Sequence, residues 1–122
     1  MDYRVRKQFC NSYHSLIQEF CDNNELGFVS RMILMQIAEY CDDNDSNNNV
    51  FDICLRDIGH IYTKSDIEME KMVKELSEIV DMVSQIEVWS DIEDTVVESE
   101  KLFTKCELFR TSLILYRGYV PA

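Results

Sequence analysis

Glycine and proline are nearly absent: three glycines and one proline stand among 122 residues. Turns that depend on a positive or a locked φ are correspondingly few, which favours long helices over a sheet with tight hairpins. Basic side chains are also short in number, twelve Lys and Arg against twenty-three Asp and Glu, for a formal net charge of −11. Such a balance repels phosphate backbones and anionic lipid, so no nucleic acid is expected as a partner. No run approaches the roughly 18 apolar residues of a membrane span. The start, MDYRVRKQF, lacks the apolar core of a secretion signal. A soluble, cytoplasmic protein with no membrane span is the expectation. Five cysteines, odd in number and without close pairing, read as small buried apolar residues rather than disulfides.

What is abundant is apolar residues at steps of three and four. Asp2 is the expected cap of a first helix over Tyr3–Cys21, with Val5, Phe9, Tyr13, Leu16 and Phe20 as its buried stripe. After a turn at DNNELG, the segment 28–41 is apolar almost all the way round and is the candidate centre of a bundle. DDNDSNNN (42–49) reads as a polar loop. The tetrapeptide SDIE occurs twice, at Ser65–Glu68 and Ser90–Glu93, and each copy has the Ser-x-x-Glu form of a capping box that starts a helix. Between them Met69, Met72, Val73, Leu76, Ile79, Val80, Val83 and Ile86 form a sustained seam, and Gly118 reads as a helix C-cap. The expected fold is a single all-α domain over 1–122, a bundle of about five to seven helices.

Sites for chemistry are few. Asp43, Asp45 and Asn47 follow the alternate spacing of an EF-hand loop, but Cys54 stands where the bidentate Glu belongs. Cys10 and His14 lie one helical turn apart with no second pair of ligands. With His14 and His60 the only histidines and no nucleophile elbow or glycine-rich loop, no enzyme, no metal and no cofactor is expected.

The stretch FDICLRDIGHIY (51–62) places Phe51, Leu55, Ile58 and Tyr62 along one helical face, with Gly59 directly after the third. It resembles the BH3 segment of the Bcl-2 family, and chain length and helical composition resemble the short Bcl-2-like proteins of poxviruses. His60 stands where that family usually has an aspartate, and of its Asn-Trp-Gly-Arg motif only Trp89 is present. The resemblance implies a Bcl-2-like bundle in a non-enzymatic viral protein. Such a protein modulates apoptosis or innate immune signalling by helix-in-groove or helix-face binding to host proteins, BH3-containing proteins or signalling adaptors. Leu55 is then the central anchor, and Gly59 admits close approach to a groove wall. The alternative is an acidic helical inhibitor or antitoxin-like protein that binds a basic protein partner. A homodimer is compatible with either.

Overall fold

Alternation rather than helical spacing governs the first residues: Val5 is buried between exposed Arg4 and Arg6, and the three form strand β1 (Arg4–Arg6). The computed structural model describes residues 1–7, 12–45, 49–59, 66–92 and 96–121, with side chains omitted at 59, 66–73, 91–92 and 96–97. Helix α1 (Tyr13–Asn24) starts at Ser12, not at Asp2. A capping box is closed by Ser12 N–H donating to Ser15 Oγ (2.9 Å) and Ser15 N–H donating to Ser12 Oγ (3.0 Å). Asp2 instead ties the opposite end of this helix, its N–H donating to Asn24 Oδ1 (2.8 Å).

Glu25, at φ 48°, ends α1 in the left-handed conformation, and α2 (Phe28–Asp43) follows. Its inward stripe, Ile33, Leu34, Ile37, Ala38 and Cys41, is fully buried. Near its C-terminus the Asp42 carboxylate accepts from the Tyr13 and His14 N–H groups at 2.8 and 3.0 Å. A carboxylate at a helix N-terminus satisfies orphan donors and complements the dipole, so this residue fastens α1 to α2.

The remaining elements are β2 (Val50–Cys54), α3 (Leu55–Gly59), α4 (Asp66–Val83), β3 (Glu87–Ile92), β4 (Val96–Lys101), β5 (Phe103–Leu108) and β6 (Ser112–Arg117). They build two three-stranded sheets, ordered β1-β3-β4 and β2-β6-β5. β1 runs parallel to β3, and the other pairs are antiparallel. The chain crosses from the first sheet to the second at buried Leu102 without a turn. Its N–H donates to Ile86 O (2.9 Å), while Gly118 N–H donates to Leu102 O (3.1 Å) and Tyr119 N–H to Lys101 O (2.8 Å). One apolar cluster joins both sheets to the helices, drawing on Val5 and Val88, on Phe51, Ile53, Phe103, Leu113 and Leu115, and on α1, α2, α3 and α4.

The all-α expectation is therefore wrong: the described residues form four helices and six strands, a mixed α/β fold. It was wrong for a physical reason. Scarcity of glycine and proline excludes tight turns, but this fold changes sheets by bending at Leu102, and the β5–β6 connection is Phe109-Arg110-Thr111. The second SDIE begins no helix, since Ser90 lies within β3. Gly118 caps no helix either. It follows β6 where the backbone passes Lys101 and Leu102.

A Cβ on Gly118 would overlap the Lys101 carbonyl oxygen and sit 3.1 Å from Lys101 C and 3.2 Å from Leu102 O. Backbone cannot yield as a flexible side chain can. Gly118→Ala is expected to lower the free energy of unfolding by about 1–3 kcal/mol, the usual range for overpacking, as read from a urea midpoint. An unchanged midpoint would show that the two sheets can separate there without loss. Leu55→Ala, at a side chain only 5% exposed, is expected to cost about 2–5 kcal/mol by the cavity it leaves, measured in the same titration.

Candidate functional site

The BH3-like residues are found in two kinds of structure. Phe51 is on β2, paired in register with Leu115 and 2% exposed. Leu55 opens α3, its N–H donating to Thr111 O (3.0 Å), and Ile58 follows at 2% exposure. Gly59 ends α3, its surroundings are not among the described contacts, and Tyr62 lies outside the described residues. The helical face read from the sequence is thus broken at Leu55, which belongs to both periods. Phe51, Ile53 and Leu55 alternate inward as a strand requires, and Leu55 and Ile58 share the face of a helix. The described anchors are committed to the core.

Of the other sequence candidates, Asp45 pairs with Arg117, and 46–48 of the EF-hand-like loop lie outside the described residues. His14 is exposed on α1, while Cys10 and His60 fall outside the description. Among the described residues no three His, Cys, Asp or Glu side chains are grouped to hold a metal ion.

Arg117 is the polar centre of the interior. Its side chain is 9% exposed, its guanidinium lies 5.4 Å from the centre of the Phe51 ring, and its Nε donates to Tyr13 Oη (3.2 Å). Tyr13 stacks on Phe103 (5.7 Å) and meets Phe51 edge-on (5.5 Å). Burial raises the Tyr13 phenol above its ordinary pKa, against the opposing pull of Arg117. These contacts anchor α1 on the second sheet and offer no open space for a substrate.

Arg4 and Arg6 lie over Trp89 at 5.9 and 5.2 Å, and Lys7 Nζ stands 5.9 Å from the Tyr119 ring. A concavity of about 430 Å³ borders β3 and β4, lined in part by Lys7, Val88, Ser90, Glu98, Glu100 and Tyr119, with both glutamates on the sheet face that Val5 and Val88 share. Cross-strand pairing sets Glu100 opposite Val88 and Glu98 opposite Ser90, which places both carboxylates on one face of β4. Ser99, on the other face, donates its hydroxyl to Glu87 Oε2 (3.2 Å). Chemically this is a carboxylate-lined hollow beside an aromatic ring, suited to a cationic group rather than to an anion. The second SDIE, read as a helix start at Ser90, conceals these glutamates from a sequence reading; the alternation V-E-S-E at 97–100 is the signal for the strand.

No family model matches this chain, and no curated protein or solved structure does either.

Burial divides the thiols. It pushes the Cys41 thiol far up and the Cys106 thiol up to about 11, Lys101 opposing the latter, whereas Cys54 is exposed. A folded-state pKa above the unfolded one means the native chain holds that proton more tightly. Stability from this source is complete below the ordinary thiol value of 9.0 and declines as pH rises toward about 11. Cys106→Ala is expected to flatten the fall of unfolding free energy between those pH values relative to the parent, read by urea titration. Mass-spectrometric mapping of alkylation at neutral pH is expected to label Cys54 before Cys21, Cys41 and Cys106, with Cys21 and Cys41 protected until unfolding.

Proposed function

We propose that this chain is a non-enzymatic binding module whose partner is a basic protein. The distribution of charge supports the reading. Among the described residues, Arg4 and Arg6 cover Trp89, Lys7 covers Tyr119, Lys105 covers Tyr116 and Arg117 is buried on Phe51. Arg31 pairs with Asp22, and Lys101 Nζ donates to Ser84 O (3.1 Å). Carboxylates at Glu25, Glu39, Asp43, Glu78, Asp81, Glu98 and Glu100 are meanwhile exposed. Arg4, Arg6, Lys7, Lys101 and Lys105 are themselves exposed and a ring contact leaves their charge in place, so what a partner meets is the excess of twenty-three acidic over twelve basic side chains.

Nucleic acid is the wrong partner for this surface. Helix α4 carries Asp66, Glu68, Glu70, Glu75, Glu78 and Asp81 against Lys71 and Lys74. Its net charge opposes a phosphate backbone. No helix among the described residues is long and apolar enough to cross a membrane. From the host-interaction reading we carry forward binding without catalysis. The helix-in-groove mode and the Bcl-2-like bundle are dropped, because both presumed one continuous helix through Phe51.

In-cell cross-linking followed by mass spectrometry is expected to recover a partner of high isoelectric point. Its association rate with the purified chain should fall at least about tenfold between ~0.05 M and ~0.5 M salt, as steering by charge requires. A rate indifferent to salt would remove the electrostatic basis of the reading.

A further inference from the structure

The first sheet ends on β4, and among the described residues nothing pairs with its outer side at Glu98–Glu100, all of which are exposed. The direction of its hydrogen bonds follows from two contacts. Leu102 N–H donates inward to Ile86 O, in register with the β3–β4 ladder, whereas Lys101 O accepts from Tyr119 on the other side. Alternate residues of a strand face alternate neighbours, so Glu98 and Glu100 turn their backbone groups to β3 and Ser99 turns its own to the open edge. An open edge is a template for a further strand.

Its side chains say what that strand carries. Glu98 and Glu100 stand two residues apart on one face, beside the hollow that ends at Tyr119. A strand laid against β4 puts its own alternate residues directly across from them, where opposite charges stabilise and like charges do not. We infer that β4 binds an extended segment of a partner protein by strand addition, the segment bearing Arg or Lys at alternate positions. A second copy of this chain is a poor occupant, because antiparallel self-pairing centred on Ser99 sets carboxylate opposite carboxylate. The inference rests on the basic-partner reading and specifies how such a partner docks.

The test uses three synthetic peptides of about nine residues, the length of an ordinary strand or slightly more. One alternates Arg with Val and Thr, one has the same composition with its Arg residues consecutive, and one is the alternating peptide N-methylated at its Val and Thr residues, whose N–H groups would face Ser99. Binding to the full chain is followed by calorimetry at physiological salt. The alternating peptide is expected to bind at least about tenfold more tightly than either other peptide. Ser99→Pro, which removes an outward N–H at an edge position where proline is tolerated together with the hydroxyl bond to Glu87, should abolish that binding, Ser99→Ala, which loses the hydroxyl bond alone, should not, and Glu98→Gln with Glu100→Gln should weaken it. Thermal melts of the variants establish that they are folded, and the N-methylated peptide tests the ladder with the protein unchanged. Equal binding of the alternating and consecutive peptides, or of the N-methylated one, overturns strand addition while leaving a basic partner in place. No binding of any peptide likewise overturns it, and the salt dependence of the cross-linked partner then tests the broader reading separately. Dimerisation of the free chain that Ser99→Pro abolishes would also overturn it, by giving the edge to a second copy.

Discussion

Two carbonyl oxygens, those of Lys101 and Leu102, hold this fold together. Each accepts a hydrogen bond from the segment that follows β6, and the approach is so close that only a glycine fits at 118. At this crossing the chain leaves one sheet and enters the other without a loop. Arg117, the residue before Gly118, is by the same backbone course driven inward, under Phe51 and onto Tyr13. A buried guanidinium needs partners to offset its lost hydration, and Asp45 and the Tyr13 hydroxyl supply them. The aromatic contacts of Tyr13 with Phe51 and Phe103 then draw α1 down on the second sheet.

From that crossing the first sheet projects outward, with β3 in the middle and β1 and β4 at its edges. β1 is tied to the body of the molecule through Val5 in the core and through Asp2, whose N–H meets Asn24 at the end of α1. Among the described residues β4 has no comparable covering at Glu98–Glu100. Natural proteins commonly guard such an edge with charge, and two glutamates serve here. In the docking proposed above, the charges that deter a second acidic copy would also welcome a basic strand.

Much of the helical part was legible in the sequence. The segment 28–41 coincides with α2, and the seam through Leu76, Ile79 and Val83 is the buried side of α4. Strands escaped notice because their patterns were disguised. LILY in β6 is uniformly apolar, although Leu113 and Leu115 are buried and Ile114 and Tyr116 only partly so. β4 is rich in Glu, a residue depleted from strands generally. In 51–58, one leucine serves the alternation of a strand and the spacing of a helix, and either period fits until both neighbours are known. Asp42 and Asp45 read as members of a polar loop, yet one fastens two helices and the other pairs with a buried arginine.

The sequence by itself determined the acidity and the helices with long uninterrupted apolar periods, because composition and local spacing act over a few residues. Tertiary structure alone decided that 51–54 extends rather than coils, that Gly118 meets a carbonyl rather than caps a helix, and that Glu98 and Glu100 share an open edge. Each of those outcomes depends on residues distant in the chain, Leu115 across from Phe51, Lys101 beside Gly118, Val88 and Ser90 across from the glutamates. A backbone hydrogen bond between remote strands is worth little until its partner arrives, so no local pattern records it.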